Sequence, residues 1–451
     1  MLDALGYLRN SSFVRSVGTL LTGASVAQLI NLLLLPVLTQ IFTPEDFDVL
    51  AVFTGISIIT YRSACLGLDY ALPVAETDED AVNLLAAALL ALTAVTAVVT
   101  IATVAGLRFA DVGEESPYRS FLWLLPAATF LLGAGTAFDF WTSRAKRFGV
   151  LSRARIGQVV VGGAFLIVLG LAGAGALGLL IGFVVVGSAG LLLLMLSFWR
   201  NERHLLAEIR TERMWGVLRR YSSFPKYTAA EIFANSGSVY IPVVIIAAVL
   251  AGPEAGFLLL ALRLLQSPLV VISQAISQVY YARAREARRD DRLTDETRSI
   301  VRMLVGGATG PFIAVAILAP DLAEFALGSE WRRVGVYMVW IVPAMFLLLV
   351  SSSVATSMHT LGRNADMLKL NVFALVIRTG LVALAALFAP YLVVAAYAAA
   401  AAIVYASVLA VTLVANRISL REAIPRSPAI LLFTVAVPVA AAGLKFALFS
   451  P

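Results

Sequence analysis

Cysteine and histidine are almost missing from this chain of 451 residues: Cys65 stands alone, and histidine occurs only as His204 and His359. One cysteine excludes an intrachain disulfide, and with two histidines far apart no His- or Cys-based metal cluster is visible. Charge is scarce as well. Asp, Glu, Lys and Arg make up 14% of the residues, against 60% hydrophobic, where a soluble domain has about 25% charged and 45–50% apolar. With a mean hydropathy of +0.90, the composition is that of a polytopic membrane protein. No Gly-x-x-x-x-Gly-Lys-Ser/Thr loop is present; the Gly-rich stretch Gly170–Gly178 lacks the Lys-Ser/Thr and reads as close helix packing, which argues against ATP hydrolysis. The net charge of +6 reports orientation in a membrane, not nucleic-acid binding.

What is present is a series of long apolar runs. A spanning helix needs about 20 apolar residues. Thirteen candidates occur, at 17–41, 47–72, 82–106, 120–140, 156–173, 176–198, 224–250, 255–280, 300–326, 335–360, 367–389, 391–415 and 429–449. The first is preceded by Arg9 and Arg15 but shows no small-residue cleavage site, so it reads as a membrane helix and not as a removable signal. Strands are disfavoured, because an open sheet leaves backbone groups unsatisfied in lipid.

Lys and Arg set the orientation. They concentrate in 144–155, 200–226, 283–302, 363–369 and 417–426, whereas the alternate connections carry only Arg108, Arg119, Arg332 and Arg333. The bias predicts a cytoplasmic N-terminus; a thirteenth span would leave the C-terminus outside, unless that helix lies on the surface or re-enters. The longest inner connection, Trp199–Tyr221, divides the chain into halves: 1–200 and 223–416, each of six helices, joined by the basic segment 201–222 and followed by 417–451 with the extra helix. That segment mixes Arg with Trp199, Leu205 and Trp215, which fits either an amphipathic helix on anionic lipid or a plain connection. The halves echo each other: Leu35-Pro36-Val37 with Thr43-Pro44-Glu45-Asp46-Phe47 in the first, Ile241-Pro242-Val243 with Gly252-Pro253-Glu254 in the second. Repeated halves with the substrate between them are the architecture of many secondary transporters.

Several polar residues fall inside the apolar runs. Arg62, Arg263 and Arg378 matter most, because a cation at the centre of a membrane helix costs about 2.5–3.5 kcal/mol even on lenient scales. Arg62 and Arg263 lie in corresponding helices of the two halves and are candidates for an anionic ligand, with the fork of donors that suits phosphate oxygens. The bland alternative is an ion pair or snorkelling; Arg62 has Asp69 seven residues on. Arg378, in the eleventh helix, fits a lateral groove or lipid headgroups equally well. Lys226 and Arg15 sit near inner helix ends, where either headgroup contact or snorkelling applies. Glu231, Asp69 and Asp139 are candidates for ion coupling, since desolvation lets a membrane carboxylate carry a proton; Asn235 lies one turn from Glu231 on the same face. Asp139, close to Arg144, also fits an interfacial salt bridge. Gln28 and Asn31 share a face of the first helix, and Gln266, Ser273, Gln274 and Gln278 polarise the eighth; these side chains either bind sugar hydroxyls or hold helices together.

Four stretches carry a family resemblance: Leu35–Phe47; Gly67-Leu68-Asp69-Tyr70-Ala71-Leu72-Pro73; Gly256 through Arg263 to Pro268, then Gln274-Ala275-Ile276-Ser277-Gln278; and Gly328-Ser329-Glu330-Trp331-Arg332-Arg333-Val334-Gly335. Together, in this order, they resemble the Wzx-type oligosaccharide flippases of polysaccharide biosynthesis, in the multidrug/oligosaccharidyl-lipid/polysaccharide exporter superfamily. Asp48 after Phe47 departs from the Phe-Gly usual in that family, and thirteen helices depart from its twelve or fourteen. The resemblance implies an all-α polytopic membrane protein with two six-helix bundles around a central cavity; the extra C-terminal helix is read from hydropathy alone. It implies a carrier and not an enzyme, located in the bacterial inner membrane. Its cargo would be undecaprenyl-diphosphate-linked oligosaccharide for O-antigen or exopolysaccharide, with coupling to H+ or Na+ and no bound cofactor. Partners would be membrane lipids and the polymerase and chain-length regulator of the same pathway. On this reading Arg62 and Arg263 hold the diphosphate or acidic sugars. The rivals are a multidrug/cation antiporter, which mid-helix arginines disfavour, and a lipid-linked peptidoglycan precursor flippase of fourteen helices. A membrane polymerase or ligase would need a large outer loop.

Overall fold

Thr43 starts the second helix with a reciprocal cap. Its hydroxyl accepts from the Asp46 amide (3.3 Å), the Asp46 carboxylate accepts from the Thr43 amide (3.0 Å), and Pro44 occupies the first helical position. The computed structural model describes residues 12–109, 122–250, 252–289, 293–355, 357–358, 361, 363–425 and 428–449. Arg9 and Arg119 lie outside them, and the side chains of Arg15, Gln274 and Gln278 lie outside the described side chains. Each of the thirteen apolar segments corresponds to a helix. They are α1 Ser12–Ile41, α2 Pro44–Ala64, α3 Asp78–Phe109, α4 Leu125–Arg144, α5 Phe148–Leu171, α6 Gly175–Glu202, α7 Ala229–Val249, α8 Glu254–Arg289, α9 Leu293–Leu327, α10 Arg332–Val354, α11 Asn364–Phe388, α12 Val393–Ala415 and α13 Pro428–Phe449. No strand occurs among the described residues. Among them ten helices are long and apolar enough to cross a bilayer, and α1 and α13 carry shorter apolar stretches. The protein is an all-α polytopic membrane protein.

The helices group into two compact units, 1–240 and 241–451. In the first, α5 packs on α6 and α1, and α4 packs on α2, α3 and α6. Small residues permit the close approach: a Cβ on Gly162 would strike Val186, one on Gly182 would strike Leu166, and one on Gly163 would strike Leu34. The inner ends that the charge alternation assigns to one side do meet. Arg144 at the end of α4 pairs with Asp78 at the start of α3, and Arg147 before α5 pairs with Glu202 at the end of α6 (2.7 Å).

The basic segment folds back on the same end. Its helix Thr211–Arg220 buries Val217, and Arg213 and Arg220 reach Glu79 (2.6 Å) and Asp80 (2.7 Å) in the first turn of α3. The buried Asn83 clamps it, donating to the Glu208 carbonyl (3.0 Å) and accepting from the Arg210 amide (3.1 Å). The segment is therefore an amphipathic helix docked on protein, with Trp215 left exposed.

In the second unit α10 packs against α8, α9 and α12, and α11 against α12. One end is fixed by a buried polar chain: Tyr280 and Thr297 hydroxyls 2.5 Å apart, Thr297 to Asn416 at 3.4 Å, and Asn416 to Ser357 at 2.9 Å. α13 lies along α9 and runs in the same direction. Thr434 donates to the Gly306 carbonyl near one end of the contact, and Lys445 reaches Asp321 (3.0 Å) near the other. A helix parallel to α9 along this length traverses the same depth as α9, which favours a span over a surface position. The repeat seen in the sequence recurs locally. Pro36 and Pro242 both sit inside the first helix of their half, and the next helix begins at Pro44 and Glu254 respectively.

Candidate functional site

α2 ends earlier than its hydropathy predicts. The expected helix runs to 72, but Leu66 and Gly67 both adopt left-handed backbone (φ 52° and 71°), and the chain turns into a separate short helix, Leu68–Ala71. Gly67 is needed twice. Its φ suits glycine, and a Cβ would come within 3.2 Å of the Phe224 carbonyl, the Thr228 side chain and the Ala229 backbone. The turn thus seats against the π-helical turn Phe224–Thr228 that opens α7.

Two positions are corrected by this geometry. Arg62 is not in the middle of a helix running to 72; it occupies the last turn of α2. Asp69 is not two helical turns beyond it on one helix but on the short helix after the turn, with Arg62 still exerting an attraction on its carboxylate. Both therefore belong to the C-terminal end of α2, beside the start of α7.

Between this turn and α7 is a cavity of about 290 Å³ lined by Arg62, Tyr70, Thr228, Glu231, Asn235 and Ser236, with Ile232 as its apolar wall. The α7 residues follow helical spacing, so one face of that helix supplies a hydroxyl, a carboxylate, an amide and a second hydroxyl in sequence. Arg62 is exposed to this space, with Tyr61, Tyr70 and Tyr240 in electrostatic reach and the Tyr61 hydroxyl hydrogen-bonded to it. The Tyr70 ring is braced on Phe140 (4.5 Å between centroids). A guanidinium with spare donors among hydroxyls, an amide and a carboxylate can bind an oxyanion and the hydroxyl groups around it.

Asp69, the residue before the cavity-lining Tyr70, is 1% exposed, and its Oδ1 has no hydrogen-bond partner among the described residues. Burial pushes this carboxyl up to about 6, with the Arg62 charge pulling the other way. The adjacent Cys65 is also buried, and its thiol is pushed up by desolvation and then by the Asp69 charge. Cys65 is accordingly a packing residue: N-ethylmaleimide at pH 7.5 should leave the folded protein unlabelled and add one equivalent after denaturation in SDS. Rapid labelling of the folded form would contradict the burial.

The other sequence candidates lie elsewhere. Lys226 is exposed on the turn Phe224–Thr228, next to the cavity but not lining it. Gln28 is half-buried and Asn31 exposed on α1. Asp139 on α4 has Arg155 as its charged neighbour, because Arg144 is taken by Asp78. In the second unit Arg263 is half-buried nine residues into α8, about 14 Å from the helix start at 1.5 Å per residue. Gln266 follows on the same face, also half-buried. Arg378 is buried between α11 and α12, its guanidinium 4.7 Å from the Tyr405 ring centroid. A cation–π contact of this kind compensates a buried charge. Sequence reasoning missed Tyr70, Thr228 and Ser236. Thr228 could have been found, since it precedes Glu231 by three residues on the same face. No group of three or more acidic, His or Cys side chains suited to a metal occurs among the described residues.

Comparison with known proteins follows this geometry. The fold is similar to that of the lipid II flippase MurJ in its inward closed conformation, with a TM-score of 0.71 at 10% identity over 95% of this chain and 93% of that one. It is similar also to a mutant form of the Vibrio cholerae MATE transporter VcmN (0.54, 14% identity, 90% and 97% covered). A third likeness is to an outward-facing multidrug resistance MATE family transporter of the MOP superfamily (0.52, 15% identity, 90% and 94% covered). At these identities the likeness is one of fold. A search of curated protein sequences gives no match. The model of the family described as polysaccharide biosynthesis protein matches residues 37–336, which include α2, α7, α8 and the cavity-lining residues, and the chain therefore belongs to that family.

Proposed function

We propose that this protein is a flippase that carries undecaprenyl-diphosphate-linked oligosaccharide from the inner to the outer leaflet of the bacterial inner membrane by alternating access. The N-terminus is cytoplasmic, and the product feeds a polymerase and its chain-length regulator. The observation that carries this reading is Arg62 opening into a polar cavity at the inner end of α2. There a diphosphate arriving in the cytoplasmic leaflet meets a guanidinium, while Thr228, Asn235 and Ser236 face the sugar hydroxyls. The lipid tail never has to leave the bilayer. Arg263, in α8 of the other unit, takes up the anion later in the cycle. Glu231 and Asp69 are the groups through which a proton or sodium gradient would act.

Family membership supports polysaccharide intermediates over peptidoglycan precursors, although MurJ, whose fold is shared, is a lipid II flippase by name. A guanidinium opening into the cavity disfavours export of cationic drugs.

The test is complementation of a flippase-deficient host. Wild-type protein should restore surface polysaccharide. Arg62→Ala and Arg263→Ala, at matched abundance in the membrane, should each lower it about ten-fold, the weight of one charge-assisted contact. No restoration by the wild type would reject the function. Full restoration by both variants would reject the role of the arginines.

A further inference from the structure

The end of the second unit where α8, α10 and α12 begin holds another cavity, about 720 Å³ in volume. Its floor is fixed by ionic and hydrogen bonds. Glu254, buried in the first turn of α8, pairs through Oε1 with the Arg333 guanidinium (2.7 Å), and the Tyr337 hydroxyl donates to its Oε2. Arg333 lies 5.9 Å from the Tyr337 ring centroid, and that ring leans on Trp340 at 5.6 Å. The turn before α10 is pinned by Trp331, fully buried edge-on against Phe257 (5.9 Å). Against this rigid floor the cavity presents open aromatic surface: Trp340 is 40% exposed and Tyr391 79% exposed.

The charge balance says what kind of ligand suits it. Arg333 is neutralised by Glu254, and Arg332 by Asp321 (3.5 Å) and Glu324; Glu330 adds a further negative charge to the lining. No net positive charge is left for a diphosphate. What is left is a pair of flat aromatic faces, beside a guanidinium and a carboxylate held in place. A pyranose ring has the complementary surface: C–H faces that pack on aromatic planes, and a rim of hydroxyls that both donate and accept. An aromatic belt at the membrane interface would place Trp and Tyr at this level too, but it requires neither the cavity nor the buried Glu254–Arg333–Tyr337 cluster behind it.

We infer that this cavity is a saccharide-binding site, which holds one or more sugar rings of the cargo on the side where it is released. The inference rests on the flippase reading and on the orientation with a cytoplasmic N-terminus, which puts the starts of α8, α10 and α12 outside. It adds a sugar subsite in a unit that contributes nothing to the Arg62 cavity.

The test uses the full-length protein in its host. The photoreactive residue p-benzoylphenylalanine is placed singly at Tyr391, at Tyr70 in the inner cavity, and at Phe388, an exposed apolar position at the same end of α11. Cells are irradiated, and adducts of the host's own lipid-linked saccharides are read by mass spectrometry of the peptide. Position 391 should carry a hexose-containing adduct, and position 388 only phospholipid. The 391 adduct should fall about five-fold with Trp340→Ala and be retained with Trp340→Phe, which keeps an aromatic face. Phospholipid alone at 391, or a sugar adduct indifferent to Trp340→Ala, overturns the inference. A sugar adduct at 70 with none at 391 rejects this site and leaves the flippase reading intact; none at either position rejects both.

Discussion

Replacing Gly335 by leucine removes the folded protein from the membrane fraction. Gly335 lies in the first turns of α10, against the Ala319–Pro320 step of α9. A Cβ there would stand 2.3 Å from the Ala319 carbonyl oxygen and 2.4 Å from the Pro320 Cα. Both atoms are backbone, so no side-chain rotation relieves the clash; α9 and α10 would have to separate. That contact is among the most extensive in the second unit, and Arg333 and Tyr337 of the Glu254 cluster lie two residues to either side of Gly335. Alanine alone should cost about 1–3 kcal/mol, the usual range for overpacking. Leucine adds a branched chain to the same place and exceeds what a margin of about 5–15 kcal/mol tolerates together with detergent extraction. The measurements are size-exclusion profile and thermal melt of the detergent-purified protein. Gly335→Leu should give no monodisperse peak, and Gly335→Ala a lowered melting temperature. Gly380→Ala, with nothing within 4 Å of the new Cβ, should be neutral or gain up to about 1 kcal/mol of helix propensity. A monodisperse Gly335→Leu with an unchanged melt would mean that α9 and α10 do not pack this way.

The number and order of the helices are written in the sequence because lipid allows few alternatives. A run of about 20 apolar residues in hydrocarbon has to be a helix, and every such run here is one. The start of α2 is equally legible, since Thr43-Pro44-Glu45-Asp46 is a capping sequence. Its end is not. Hydropathy continues smoothly through Cys65 and Leu68, and what stops the helix is a left-handed Leu66, a conformation that residue type does not announce. That single turn moves Arg62 from the middle of a helix to a helix end and detaches Asp69.

Long-range partners are hidden for a different reason. The cost of burying Arg378 is visible from its neighbours in sequence; its compensation by Tyr405 depends on how α11 meets α12. Arg144 has a carboxylate five residues before it, Asp139, yet it pairs with Asp78, because the end of α4 lies against the start of α3. The direction of α13 follows likewise from Thr434 and Lys445 meeting α9, which no local pattern encodes. Arg62 and Glu231 were legible as candidates because polar groups in apolar helices are conspicuous. That they share a cavity required the Gly67 turn to seat on Phe224–Thr228.

Asp69 should make the protein less stable as pH rises through about 6. In the unfolded chain an aspartate titrates near 3.9, so the folded state holds the proton more tightly. Below about pH 4 the carboxyl is neutral in both states and the fold is at its most stable with respect to this group. Between about 4 and 6 the unfolded state ionises while the folded state does not, and stability falls; above 6 both are ionised and the loss is complete. Two units of separation at 1.36 kcal/mol each put that loss at about 3 kcal/mol. The physical source is a carboxylate that is 1% exposed with one oxygen unpartnered, offset only in part by Arg62. Asp69→Asn keeps the shape and removes the charge. Its melting temperature should exceed that of the wild type at pH 7.5, by roughly 6–12 °C on the usual scaling for a unit of this size, and the gap should close below pH 4. Equal slopes from pH 4 to 7 in the two proteins would show that Asp69 is not the titrating group. The same linkage has a functional side. A group whose proton is lost near pH 6, within electrostatic reach of Arg62, changes charge in the range spanned by the two sides of an energised membrane. An anion bound at Arg62 would hold that proton on more tightly, so that loading the cargo and loading the proton favour each other. Asp69→Asn should therefore also flatten the pH dependence of polysaccharide output in the complemented host.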